Sequence, residues 1–195
     1  MNNVIPKLLL FDLGGVLVEL GDELFPAQWF SQEQCFDLKQ WLSCSAALEF
    51  ETGRISASEF IQKIKVDLRI SATEAQILTA FTEWPKRLFP STQALLERVS
   101  ADYRVAVLSN TNEIHEPVLL RRFGLEKMVE DIFFSHRIGL SKPDEEAFLY
   151  VLNALGYAAN EVVFFDDSFA NVTAARAIGM TAFQVSSPQE VAAYL

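Results

Sequence analysis

Apolar side chains along this chain fall into two patterns, and the two take turns. One is the short unbroken run: Leu8-Leu9-Leu10-Phe11, then residues 103–108 around Val105, Val107 and Leu108, then Ile132-Phe133-Phe134, then Val162-Val163-Phe164-Phe165. Runs of this length without alternation predict strands covered on both faces, as in the middle of a parallel sheet. Residues 179–185 supply a fifth strand. The other pattern is the 3.6-residue stripe, found at residues 90–99, where Pro90 suits a helix start, at residues 113–123, and in a short helix over 188–195. Strand and helix in regular alternation predict an α/β fold, a doubly wound parallel sheet.

One stretch breaks the alternation. From Glu19 to Pro85 there are helical signals and almost no β-branched runs. Ser31-Gln-Glu-Gln34 and Ser56-Ala-Ser-Glu59 have the form of capping boxes, and Ser71 or Thr73 can cap a third helix. Apolar stripes run through Cys35, Leu38, Trp41, Leu42 and Leu48, through Phe60, Ile61, Ile64 and Leu68, and through Ile77, Leu78 and Phe81. The expected division is a core of residues 1–18 and 86–195 with a small helical insertion of residues 19–85. Trp41 and Trp84 are expected to pack inside the insertion.

Polar groups gather where the predicted strands stop. Asp12 ends the first and is followed by Gly14-Gly15, a pair that lets the backbone turn tightly; alone, it also reads as an ordinary turn opener. Ser109-Asn110-Thr111-Asn112 ends the second, either as ligand groups or as a helix N-cap. Lys142 precedes Pro143, which biases it toward an extended conformation and aims its side chain; it also suits neutralisation of Asp144, Glu145 and Glu146. Asp166-Asp167 ends the fourth strand. Two adjacent carboxylates there repel each other, and a divalent cation relieves the repulsion, since Mg²⁺ takes oxygen ligands and needs only one or two protein carboxylates. In the insertion, Arg54 follows Gly53 and can reach an anionic ligand, or stand as a solvated cation near Glu51.

Composition narrows the class. Half of the 195 residues are hydrophobic, 16 of them Phe, which fits a packed core. Sixteen basic against 26 acidic side chains give a net charge of −10, so a nucleic-acid partner is not expected. No apolar stretch has the length of a membrane span and no signal peptide is read at the start, so a cytoplasmic protein with no membrane partner is expected. Cys35 and Cys44 have neither disulfide-framework nor zinc spacing and are read as buried thiols. His115 and His136 are read as isolated structural histidines.

In a parallel sheet the strands' carboxyl ends share one edge, so Asp12, Ser109, Lys142 and Asp166-Asp167 converge there. These residues in their contexts, Phe-Asp12-Leu-Gly-Gly-Val, Leu-Ser109-Asn-Thr-Asn, Lys142-Pro-Asp and Phe-Phe-Asp166-Asp167-Ser-x-x-Asn171, resemble the four motifs of the haloacid dehalogenase superfamily. The resemblance implies core strand order 5-4-1-2-3 with residues 19–85 as a helical cap. It implies a Mg²⁺-dependent phosphatase in which Asp12 is the nucleophile and forms an aspartyl-phosphate. The metal ligands would be Asp12, the Gly14 carbonyl and Asp167, with Asp166 a further candidate. Ser109 and the amides beside it, Asn110 included, would bind phosphoryl oxygens, Lys142 would neutralise phosphate and nucleophile, and Asn171 would hydrogen-bond a metal-bound water.

One position departs from the pattern. Many phosphatases of this superfamily carry a general acid two residues after the nucleophile, where this chain has Gly14, which has no side chain to move a proton. That form is similar to the branch of sugar-phosphate phosphatases that includes α-glucose-1-phosphate phosphatase. A sugar phosphate is therefore the expected substrate class, and Glu19, at the base of the insertion, reads either as a substitute acid or as a solvent-exposed hinge carboxylate. The alternatives are a member that binds a phosphorylated ligand or partner without turnover, and a 2-haloacid dehalogenase, against which the Asp166-Asp167 pair argues.

Overall fold

The computed structural model describes residues 6–30 and 44–195. The predicted capping box at Ser31–Gln34 and the residues Cys35, Leu38, Trp41 and Leu42 lie outside them. Among the described residues the strands are β1 (Leu8–Phe11), β2 (Val18–Leu20), β3 (Pro85–Leu88), β4 (Arg104–Ser109), β5 (Asp131–Phe134), β6 (Val162–Asp166) and β7 (Thr181–Gln184). Five form one parallel sheet in the order β5-β4-β1-β6-β7. Counted among themselves and read from the other edge, they run 5-4-1-2-3, as expected.

The lack of alternation in β1 has a direct cause. Leu9 and Phe11 point into one apolar cluster with Val105, Val107, Val163 and Phe165, while Leu8 and Leu10 point into another with Ala106, Leu108, Phe148 and Phe164. All four β1 side chains are fully buried. Since each fully buried Leu or Phe contributes about 1.5–3 kcal/mol, this strand is the centre of the core. Helices on the two faces are α4 (Thr92–Val99), α6 (Glu145–Leu155), α7 (Phe169–Ala177) and α8 (Pro188–Ala192), with a short α5 (Ser135–Ile138) directly after β5. The predicted helix at 113–123 is wound more loosely at its end, as a π-helical turn over Val118–Arg122.

Residues 19–85 contribute α1 (Ser45–Glu51), α2 (Ala57–Asp67) and α3 (Glu74–Thr82) around a third cluster that includes Phe25, Phe50, Phe60, Ile64, Ile77 and Phe81. The capping boxes at Ser56/Glu59 and Thr73/Gln76 both form. Trp84 packs against this cluster and donates its indole N–H to the Gly21 carbonyl at 3.0 Å. Two stripe positions face outward instead: Leu48 is 50% exposed and Leu78 41%. Cys44 is the extended N-cap of α1, so the helical phase that places Leu48 is set from Ser45 onward.

The borders of this segment hold a feature that the pattern did not predict. β2 and β3 pair antiparallel, joining the segment's exit from the sheet to its return. Strands of three and four residues are too short to leave a periodic signal. Their cross-strand pair Glu19–Arg87 is an exposed ion pair at 2.8 Å.

Candidate active site

The register Phe11↔Phe165 and the bond from the Asp12 N–H to the Phe165 carbonyl (2.9 Å) carry Asp12 alongside Asp166 at the carboxyl edge of the sheet. Ser109 ends the neighbouring strand β4 and is buried, and among the described residues its hydroxyl takes no protein partner. Lys142 completes the group. Its ammonium sits 2.8 Å from Asp12 Oδ1 and 2.6 Å from Asp166 Oδ2, with 1% of its side chain exposed. Asp12, Ser109, Lys142 and Asp166 thus gather as expected.

What aims Lys142 is Asn110. The Asn110 side chain donates to the Lys142 carbonyl at 2.7 Å and accepts the Lys142 N–H at 2.9 Å, a pair of bonds that clamps the lysine backbone. Its side-chain amide, expected among the phosphoryl-binding groups, is committed to that clamp. The Lys142–Pro143 peptide bond is cis. Next along β4's exit, the Thr111 N–H donates to Ser135 Oγ at 2.9 Å and Ser135 returns a bond to the Thr111 carbonyl. Asn112 is the N-cap of the turn, its Oδ1 accepting from the N–H groups of Ile114 and His115.

Asp12, Asp166 and Asp167 offer carboxylate oxygens that all lie within 4.8 Å of one another. Three carboxylates face one ammonium, so the site is short of positive charge. Burial, with Asp166 and Asp167 adding repulsion and Lys142 opposing, pushes the Asp12 carboxyl up to about 7. Burial and Asp166 also raise Asp167. For Lys142, burial alone would lower the pKa, and Asp12 and Asp166 reverse this to a net rise, holding it charged. Hard oxygen donors in excess of positive charge fit a Mg²⁺ ion. The donors are not equivalent. Asp166 already accepts from Lys142, from the Ser168 N–H at 2.8 Å and from both contacts of the Asn171 amide at 3.0 and 3.1 Å. Asn171, expected to bind a metal-bound water, is thus hydrogen-bonded to Asp166. Asp167 is exposed and makes no ion pair among the described residues. Gly15, at φ +73°, makes room for it: a Cβ there would stand 2.6 Å from Asp167 Oδ2.

This sheet edge, with its buried carboxylate beside a clamped lysine and an acidic pair, is accompanied by a sequence match. The model of the haloacid dehalogenase-like hydrolases matches residues 6–179. The chain belongs to that family. Among relatives of known activity, D-ribitol-5-phosphate phosphatase of Bacteroides thetaiotaomicron is 27% identical over 192 residues, covering 91% of this chain and 91% of that protein. Drimenol cyclase drtB of Aspergillus calidoustus is 28% identical over 186 residues, 90% of this chain but 34% of the cyclase, so the chain spans about a third of that relative's length. Among solved structures, the family enzyme bt-2542 of Bacteroides thetaiotaomicron, in complex with magnesium and inorganic phosphate, superposes with a TM-score of 0.77 at 28% identity, covering 92% of this chain and 93% of that one.

The other residues singled out by the sequence are placed as follows. Arg54 is exposed after Gly53, without an ion pair among the described residues. Gly14 lies in the turn after Asp12, bridged to Val18. Cys44 is a half-buried free thiol. His115 is buried, its Nε2–H donating to the Phe81 carbonyl at 2.6 Å and its ring stacked on Phe81, and burial lowers its pKa to about 4. Both histidines stand apart from the clustered carboxylates, among the described residues. The sequence marks one further residue only as a neighbour of Arg54. Glu51, the last residue of α1, is half-buried; burial first, then the negative charge of Asp12, raises its carboxyl to about 7, with Lys142 opposing.

Proposed function

We propose that the chain is a Mg²⁺-dependent phosphomonoester hydrolase acting on a small phosphorylated metabolite, with a sugar phosphate as the substrate class. The observation that carries this reading is the buried Lys142 ammonium held against both Asp12 and Asp166. It keeps a carboxylate nucleophile aligned and gives an otherwise acidic pocket one fixed positive charge for a phosphate dianion.

The proposed roles follow from the contacts. The free Asp12 oxygen attacks phosphorus, forming an acyl phosphate on Asp12 as the bond to the alcohol oxygen breaks and the alcohol leaves; water then attacks phosphorus, the Asp12 oxygen–phosphorus bond breaks, and phosphate and the Asp12 carboxylate are released. Lys142 offsets charge on Asp12 and on a phosphoryl oxygen, and the unpartnered Ser109 hydroxyl donates to another. Asn110 fixes Lys142 and so sets the line of attack. Asp12, Asp167 and the Gly14 carbonyl would hold Mg²⁺, with Asp166 orienting Lys142 and Asn171 rather than binding metal directly. When bound, the ion supplies the positive charge that relieves repulsion between carboxylate and phosphate. Residues 19–85 would cover the site as a cap, and Arg54, at the loop after α1, would meet the substrate from that side. Support for the sugar-phosphate class comes from the ribitol-phosphate relative.

Phosphate release from a panel of sugar and other alkyl phosphates, with Mg²⁺ and with a chelator, tests this. Turnover that needs Mg²⁺ and vanishes in Asp12→Asn is expected. Turnover in Asp12→Asn at the rate of the unmutated chain would refute the assignment of the nucleophile.

A further inference from the structure

Phosphoryl transfer to Asp12 needs a proton for the departing oxygen, and Gly14 leaves the usual position without one. Glu19 does not fill the gap, because it is paired with Arg87 across the ribbon. Glu51 has the placement for it. The end of α1 is pinned: Thr52 is buried and its hydroxyl donates to the Leu48 carbonyl at 2.7 Å, and the Arg54 N–H reaches the Glu49 carbonyl at 2.8 Å. Gly53, at φ +69°, brings this end so close to α5 that a Cβ would stand 2.4 Å from the His136 carbonyl oxygen. That contact seats the α1 terminus on the core beside the strand ends.

On α5, His136 and Arg137 both pair with Glu116. The groups whose charge acts on Glu51 are Asp12 and Lys142, the two at the reacting centre. Among the described residues its own carboxyl makes no hydrogen bond and no ion pair, so its oxygens are free for a ligand.

Resting on the phosphatase reading above, we propose that Glu51, carried on the inserted segment, is the general acid and base of the reaction. In the first step the Glu51 O–H gives its proton to the ester oxygen as the bond from that oxygen to phosphorus breaks and the bond from Asp12 to phosphorus forms. In the second, the Glu51 carboxylate takes a proton from water as the water oxygen bonds to phosphorus and the Asp12–phosphorus bond breaks. Phosphate leaves and Glu51 is protonated again. The carboxyl raised to about 7 suits both directions of transfer near neutral pH.

The test compares Glu51→Gln and Glu51→Asp in the full chain with Mg²⁺, on an alkyl phosphate from the panel and on p-nitrophenyl phosphate, whose phenol leaves without protonation. Glu51→Gln is expected to slow the alkyl phosphate about 100- to 10,000-fold. With p-nitrophenyl phosphate it gives a burst of about one nitrophenol per chain followed by slow turnover, with acid-trapped phosphate on Asp12. Glu51→Asp restores part of the rate. Equal loss on both substrates with no burst makes Glu51 structural and overturns the proposal, as does unchanged turnover. An unmutated chain that hydrolyses neither substrate fails the phosphatase reading itself, and the proposal with it.

Discussion

Replacing Asp12, the proposed nucleophile, should make the protein more stable. Without a metal, a charged Asp12 is held near two other carboxylates, with Lys142 as partial compensation, and its carboxyl lies at about 7 against an ordinary 3.8. A carboxyl raised on folding binds more protons in the native state than in the unfolded one, so stability falls as pH rises from about 4 through about 7. At about 1.4 kcal/mol per pH unit, the penalty at pH 8 reaches about 4 kcal/mol. An asparagine side chain in that place would be close in shape to the protonated acid and carry no charge. Asp12→Asn in a chelator at pH 8 should therefore unfold at a higher temperature by roughly 10 °C, at 2–4 °C per kcal/mol for a chain of this size. At pH 5, where the native Asp12 is itself protonated, most of the gain should vanish. Added Mg²⁺ should stabilise the unmutated chain more than the variant, since the ion supplies the missing charge. Calorimetric or denaturant unfolding at the two pH values, with and without Mg²⁺, measures all of this. A variant less stable than the unmutated chain at pH 8 in chelator would refute the claim that the site is under electrostatic load.

His115 should make the protein acid-sensitive: its pKa, lowered to about 4 from 6.5, means that the unfolded chain takes the proton first, so stability falls by about 3 kcal/mol as pH drops from 6.5 to 4. Denaturant unfolding of His115→Gln should lack that share of the acid loss, and an identical pH dependence would sink the assignment. Asn110→Ala should leave the N–H and carbonyl of Lys142 without their clamp and lower kcat for p-nitrophenyl phosphate about 10- to 100-fold with a smaller change in KM; an unaffected kcat would show that Lys142 holds its place unaided.

The strand ends were legible because the chemistry there is local. A buried strand, then a polar residue, then a turn can be read within about ten residues, and Asp12, Ser109 and Asp166 each stand out that way, while Lys142 stands out by the proline after it, before the sheet order brings them together. Side-chain amides were harder, since Asn110 and Asn171 choose partners 32 and 5 residues away on geometry that no pattern encodes. Glu51 left no signal at all. It is a single acid at a helix end, and what brings that end against the core is the close approach of Gly53 to the His136 carbonyl, a contact between residues far apart in the chain. The ribbon of β2 and β3 escaped notice for its shortness, and Leu48 and Leu78 kept helical spacing while facing outward.

The exit from β4 has a consequence for how this chain can change. Asn110 clamps the lysine, Thr111 is bonded to Ser135, Asn112 caps its own turn, the Glu113 side chain accepts the Ala57 N–H at 2.6 Å at the start of α2, and His115 holds the end of α3. One short loop thus answers to two masters, the reacting centre and the segment above it. Substitutions along it will alter turnover and folding together and will combine non-additively, so change elsewhere in this chain is less constrained than change in this loop.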